Sequence, residues 1–105
     1  MSHAPNEVYQ AISDPTRRLL LRKLREREGR TLGEMADGLG ISRFGVMKHL
    51  AVLEEAGLIK TQRAGRLKLH YLETAPLAAV ITEIRYLFPS PAKEEAVGAP
   101  VDGTG

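Results

Sequence analysis

The chain has 105 residues, which suits one domain with one modest hydrophobic core. It contains no cysteine, which excludes disulfides, thiolate metal sites and cysteine nucleophiles. No apolar run approaches the roughly 18 residues that cross a bilayer, so we expect no membrane partner. The first residues show no basic segment before an apolar core, so we expect no secretory signal and a cytoplasmic location.

The formal net charge is only +2, but the basic charge is concentrated in the middle of the chain. Residues 42–70 contain six basic and two acidic residues, an excess of +4 that favours a polyanionic partner. Residues 89–105 carry a net charge of −2, are rich in Pro, Gly and Ala, and lack aromatic residues. We therefore predict a domain over residues 1–88 and a disordered acidic tail over 89–105.

Two helices are predicted in the first third of the chain. Residues 6–12 are a short candidate, and Asp14 followed by Pro15 is typical of an N-cap and first position of a second helix. That second helix has a leucine stripe and ends near Gly29. Its basic residues are predicted to form a solvated face: Arg17, Arg18, Arg22 and Lys23.

A pair of short helices follows. Thr31 and Glu34 match a capping box, which predicts a helix start. A glycine turn at residues 38–40 separates it from a second helix that Ser42 is placed to cap and Gly57 to end. Two short helices joined by a tight glycine turn predict a helix-turn-helix.

A hairpin and a last helix complete the predicted elements. The hairpin consists of residues 58–63, a turn at 64–66 and a second strand at 67–72. Alternation in the second strand predicts that Leu67, Leu69 and Tyr71 are buried while Lys68 and His70 are exposed. The last helix begins at residues 74–76, and its apolar surface is too broad for a lone surface helix.

From about residue 8 to residue 88 the chain resembles the ArsR family of winged helix-turn-helix repressors. The matching strings are ISDPTRR at residues 12–18, Ile41-Ser42 with His49-Leu50, VLEEAGLI at 52–59, and the run from Gly65-Arg66 to Tyr71. The resemblance implies a mainly α fold with a small β-hairpin, in which four helices, two strands and a fifth helix form a homodimeric winged helix-turn-helix.

The chain is most similar to the branch of this family that lacks the metal-sensing cysteines. Metal-sensing members place a cysteine pair in the helix before the recognition helix, or His and Asp ligands along the last helix. Residues 32–36 offer only a carboxylate and a thioether, and residues 76–88 contain no His or Asp. We therefore expect no metal site and no cofactor.

Side chains near the start of the recognition helix would enter the major groove, and a basic hairpin tip would approach the DNA backbone. The predicted DNA-binding residues are Ser42, Arg43, Phe44, Gly45, Met47, Lys48, Arg63, Gly65, Arg66 and Lys68. The alternatives are that these charges are merely solvated and that Phe44 packs on the wing. We interpret His49 as structural, whereas His70 either touches phosphate or faces water.

The family pairs its last helix with its first across a two-fold axis. The residues predicted to mediate dimerisation are Val8, Ile12, Leu77, Val80, Ile81, Ile84 and Leu87. The alternative is that the apolar face of the last helix is internal core. A symmetric dimer would place two recognition helices roughly 34 Å apart on an imperfect palindrome.

The sequence therefore predicts a regulator that binds double-stranded DNA and represses by blocking a promoter. The alternative is a winged-helix module for protein–protein interaction that does not read DNA. An enzyme is not expected, because Ser42 and His49 share a helix without a carboxylate placed to orient the histidine. The sequence leaves open whether a small-molecule effector exists.

Overall fold

The computed structural model describes residues 6–89, in which four helices precede a two-stranded antiparallel sheet and a fifth follows it. The elements are α1 (Asn6–Ile12), α2 (Pro15–Glu26), α3 (Leu32–Ala36), α4 (Arg43–Glu55), β1 (Ile59–Ala64), β2 (Leu67–Leu72) and α5 (Ala75–Leu87). The order predicted from the sequence is confirmed. Apart from Pro89, the predicted acidic tail lies outside the described residues. None of the described helices has the length and apolar character needed to span a membrane.

Three helices begin at the N-caps that were predicted from the sequence. The Asp14 carboxylate accepts a hydrogen bond from the backbone N–H of Arg17 at 3.0 Å, and Thr31 and Glu34 form the capping box at α3. The Ser42 hydroxyl accepts from the N–H of Gly45 at 3.0 Å. Each cap satisfies backbone donors that have no partner inside the helix, so the capping residues determine where α2, α3 and α4 start.

The hydrophobic core lies between the helices and the base of the hairpin. From α4 it takes Val46, Leu50 and Leu53. The other buried apolar side chains come from every remaining element except β2 and from the turn between α4 and β1: Val8, Ala11, Leu20, Leu24, Met35, Ala56, Leu58, Ile59 and Val80. The opposite face of α4 is thereby directed to solvent.

The basic run on α2 is more than the solvated face that the sequence predicted. The Arg17 guanidinium donates through Nε to the carbonyl oxygen of Ala11 at 2.8 Å and through Nη2 to that of Gln10 at 2.9 Å. Arg18 donates to the carbonyl oxygen of Ile12 at 2.8 Å. The last carbonyl groups of a helix lack intrahelical partners, so these two arginines cap the C-terminal end of α1.

The two strands pair in register from Ile59 opposite Leu72 to Ala64 opposite Leu67. Gly65 forms the turn with φ of 65°, a backbone conformation that side chains other than glycine rarely adopt. The segment before α3 lies along the free edge of β2. There the Glu28 carboxylate accepts from the N–H of Leu72 at 2.7 Å, and Arg30 forms a bridge with His70.

Both predictions for His70 are wrong, because this side chain is only 5% exposed and so faces neither a phosphate nor bulk water. Its Nδ1 and its backbone N–H both donate to the carbonyl oxygen of Arg30, at 2.8 and 2.9 Å. Leu67, which was predicted to be buried, is 54% exposed. His70 can be buried because the edge segment provides a hydrogen-bond partner for its ring, and a buried polar group needs such a partner.

Candidate nucleic-acid interface

The exposed face of α4 carries the residues that were predicted to enter the major groove. Arg43, Phe44, Met47 and Lys48 are all exposed, and Ser42 and the half-buried Gly45 form the helix start. Because Val46 and Leu50 on the other face are held in the core, the helix cannot turn this face inward without exposing apolar surface. The face is therefore fixed toward solvent.

Phe44 and Lys48 lie one turn apart on this face and interact. The Lys48 ammonium nitrogen is 5.2 Å from the centroid of the Phe44 ring, within the range of a cation–π contact. The Phe44 side chain is 65% exposed, which leaves most of the ring free of the wing. The structure thus favours a solvent-facing Phe44 over the alternative in which it packs on the wing.

The Arg43 guanidinium lies against the start of α3. An added Cβ at Gly33 would come within 3.1 Å of its Nη2 atom, so the glycine leaves the space that the guanidinium occupies. A recess of about 290 Å³ opens at this point. It is lined by Thr31, Leu32, Gly33, Arg43, Arg66, Leu67 and Lys68. Three basic residues from α4 and the wing therefore line one recess, which favours an anion there.

The wing carries its basic residues close to its tip. Arg63, Arg66 and Lys68 are exposed, and Gly65 has no atom within 4 Å of a Cβ placed on it. Arg63 lies directly opposite Lys68 in the strand register. Like charges facing each other across a strand pair are destabilising, so this pair costs stability unless an anion lies beside it.

His49 connects α4 to the junction of α1 and α2, in agreement with its interpretation as a structural residue. The Arg17 guanidinium donates to Nδ1 of His49 at 3.2 Å, and a carboxylate oxygen of Asp14 lies 3.9 Å from the same nitrogen. The hydrogen bond from the Arg17 backbone N–H holds the pKa of Asp14 below its ordinary value. This cluster positions the recognition helix and does not face the basic recess.

The residues predicted to mediate dimerisation fall into two groups. Val8 and Val80 are buried inside the protomer, and Ile12 and Leu77 are half-buried against the same core, so the internal-core alternative holds for part of the set. The exposed group from the predicted set is Ile81, Ile84 and Leu87. These three side chains remain available to a partner.

Two aromatic side chains that were absent from the predicted set are exposed at the end of α5, and helical spacing places Tyr86 roughly opposite Ile84. Tyr86 is 83% exposed and Phe88 is 73% exposed. Phe88 directly follows the helix at its C-cap, where the helical apolar spacing that identified the other residues ends. The Tyr9 hydroxyl donates to the Glu83 carboxylate, which joins α1 to this helix and raises the pKa of Tyr9.

The basic face has no metal-binding cluster to compete with it in the described part of the chain. Among residues 6–89, no three His, Cys, Asp or Glu side chains come together in an arrangement that could hold a metal ion. The fold and the exposed basic face of α4 and the wing together define a winged helix-turn-helix DNA-binding protein.

Comparisons with known proteins agree with this class. A model described as a helix-turn-helix domain matches residues 12–62. The HTH-type transcriptional regulator YuzN of Bacillus subtilis is 36% identical over 83 residues, covering 73% of this chain and 90% of YuzN. The transcriptional repressor SdpR of the same organism is 38% identical over 72 residues, covering 69% of this chain and 79% of SdpR.

Among solved structures, the crystal structure of an ArsR family transcriptional regulator superimposes with a TM-score of 0.72 and 33% sequence identity. The match covers 78% of this chain and 84% of that one. The chain belongs to the ArsR family, as its sequence motifs implied. It is a DNA-binding transcription regulator and not an enzyme, so the alternative of an interaction module without DNA binding is set aside.

Proposed function

We propose that this regulator acts in the cytoplasm as a homodimeric repressor that occupies an imperfect palindromic operator and blocks access to a promoter. The observation that carries the proposal is the Arg63–Lys68 pair on the wing. Two cations placed opposite each other disfavour the free hairpin, and a phosphate group between or beside them removes that repulsion. The basic recess around Arg43 offers a second phosphate position next to the recognition helix.

The exposed face of α5 supports the homodimer. Ile81, Ile84 and Leu87 are exposed on a helix that contributes only Val80 to the fully buried core. A contiguous apolar patch on a small domain is typical of a protein interface, and the two-fold pairing of two copies is the simplest way to cover it. Such a dimer presents two recognition helices, which explains why we expect two related half-sites roughly 34 Å apart.

Repression then follows from occupancy. A dimer seated across a promoter excludes polymerase or an activator from the same DNA, without any change in the bound protein. This mechanism needs only sufficient affinity at physiological salt, which the basic residues of α4 and the wing supply through phosphate contacts.

Selection of bound duplexes from a random-sequence pool tests the whole proposal. We expect enrichment of an imperfect palindrome, a dimer in sedimentation at micromolar concentration, and binding that weakens steeply between two salt concentrations. The variant Arg66→Ala should lower the slope of log affinity against log salt by about one unit for each phosphate that the protein no longer neutralises. A monomer in sedimentation, or a pool without any salt-sensitive binding, would contradict the proposal.

A further inference from the structure

The recognition face of α4 lacks several kinds of side chain that read DNA bases by hydrogen bonding. The first two turns, residues 43–50, contain no Asn, Gln, Asp or Glu. These are the side chains that pair with the donor and acceptor groups of adenine and cytosine in the major groove. Readout of the DNA bases by this helix must therefore depend on the remaining exposed side chains, which are Arg43, Phe44, Met47 and Lys48.

Arg43 lies at the recess beside Gly33. Its guanidinium fills the space beside Gly33, and it lines the same recess as Arg66 and Lys68 of the wing. A guanidinium grouped with two other cations at the edge of the DNA-binding face is placed for a phosphate oxygen. Phe44, Met47 and Lys48 are then the side chains that remain for contact with base edges.

Two of these three side chains are apolar and well exposed. Phe44 is 65% exposed and Met47 is 49% exposed, although both are large hydrophobic residues. Their spacing of three residues puts them next to each other on one side of the helix. The ammonium group of Lys48 over the ring restricts the Phe44 side chain from its other side. The centre of the recognition face is thus a small apolar surface.

Among the standard base pairs, only the A·T pair carries an apolar group on its major-groove edge, which is the C5-methyl of thymine. We propose that Phe44 and Met47 select the operator by packing against thymine C5-methyl groups in each half-site, while Lys48 contacts a neighbouring acceptor. The inference rests on the proposed function and adds the chemical feature of the DNA that this surface recognises. Discrimination then depends on burial of a methyl group rather than on a bidentate hydrogen bond.

Deoxyuridine tests the inference, because it pairs like thymidine and lacks only the C5-methyl group. The duplex enriched from a random-sequence pool is synthesised with thymidine and with deoxyuridine at successive half-site positions, and affinity is measured for each. We expect replacement at a contacted position to weaken binding about four-fold for each methyl group removed from the interface. Positions outside the half-sites should show no change.

Variants assign the effect to the protein side. Phe44→Ala and Met47→Ala should bind the thymidine duplex more weakly and should each lose the discrimination at one position, so that thymidine and deoxyuridine duplexes bind equally there. Both side chains are largely exposed, so neither substitution opens a core cavity, and thermal unfolding checks the fold. Leu19→Ala on α2 is the matched control, since Leu19 is an exposed hydrophobic residue outside the interface. It should keep the full discrimination.

The outcomes separate this inference from the proposed function. Salt-sensitive binding of the wild type with equal affinity for both duplexes overturns the methyl contact and leaves the repressor proposal standing. Discrimination that survives in both Phe44→Ala and Met47→Ala also overturns it, because the methyl effect then arises from DNA shape or from another residue. If no duplex in the pool binds, the proposed function fails and the inference fails with it.

Discussion

Helices α4 and α5 are each 13 residues long, yet the protein uses them in opposite ways. Helix α4 places Val46, Leu50 and Leu53 in the core and turns a mixed basic and apolar face to solvent. Helix α5 buries only Val80 fully and exposes most of its large apolar side chains. A protomer therefore completes the packing of α4 by itself, whereas it leaves that of α5 incomplete.

The difference is the one that we expect if α5, and not α4, packs against a second molecule. The apolar side chains of α4 are buried inside the fold, so the outer face of the helix is exposed and can contact DNA. The exposed apolar face of α5 is removed from water only if another apolar surface covers it. Substitutions on the buried face of α4 should consequently change the stability of the fold, whereas substitutions on α5 should change assembly. Substitutions on the wing and at the helix caps should have smaller effects.

The largest effect on the protomer is expected at the buried face of α4. Leu53→Ala removes a fully buried side chain, which should lower the free energy of unfolding by about 2–5 kcal/mol, as measured by denaturant titration. Ile84→Ala on α5 is the matched comparison, because a truncation of the same size at a 43% exposed position should cost the isolated protomer far less. Equal losses would mean that α5 is core and not interface.

The next largest effect is expected at the exposed face of α5. Ile84→Glu should convert the dimer to monomer and weaken operator binding about 100-fold or more, because a two-fold interface buries the same charge twice. Sedimentation and gel shift measure the two quantities. Thr82→Glu is the control, since Thr82 lies on the same helix and is exposed, but points roughly opposite to Ile84. A dimeric Ile84→Glu protein would show that the partner binds elsewhere.

A smaller effect of opposite signs is expected on the wing. Lys68→Gln removes the like-charge pair with Arg63, so the free protein should become more stable by up to about 1 kcal/mol. The same change should weaken DNA binding and lower its salt slope by about one unit. Lys60→Gln is the control, because Lys60 lies 3.7 Å from the Glu73 carboxylate and not opposite a cation. A destabilised Lys68→Gln protein would show that the pair is not strained.

The smallest effect concerns pH and the helix caps. Capping lowers the pKa of Asp14 from its ordinary value of 3.8 and that of Glu34 from 4.5. A carboxylate with a lowered folded-state pKa contributes stability that is complete above the unfolded-state value and is lost as pH falls through the folded-state value. We therefore expect the melting temperature to decrease as the pH is lowered below about 4. Asp14→Asn keeps a good N-cap but cannot titrate, so its melting temperature should fall less steeply over this range.

Local chemistry explains why most of the fold can be predicted from the sequence. The caps at Asp14, Thr31 and Ser42 and the turn at Gly65 each act within a few residues, so their consequences are visible in the sequence. The burial of His70 is different, because its partner Arg30 is 40 residues away. No local pattern on the strand records that a distant carbonyl group will satisfy the ring.

The same limit applies to the candidate interface. The sequence predicted which residues of α4 face DNA, but it did not show that Arg43 lies against Gly33 or that Arg63 faces Lys68. The family resemblance also placed Val8 and Val80 in the dimer interface, since in a sequence an apolar position looks the same whether a neighbouring helix or a second protomer covers it. Only the packed structure separates these two kinds of burial.

The edge contacts of β2 divide the wing into two mechanically different parts. At its base, Glu28 and Arg30 fasten the strand to the helical body, so the amide hydrogens of His70 and Leu72 should exchange slowly with solvent. Within residues 6–89, no atom lies within 4 Å of a Cβ placed on Gly65 at the tip. We therefore expect the base of the wing to be more rigid than its tip, so that a tip bound in a groove could adjust to local groove width without disturbing the hydrophobic core.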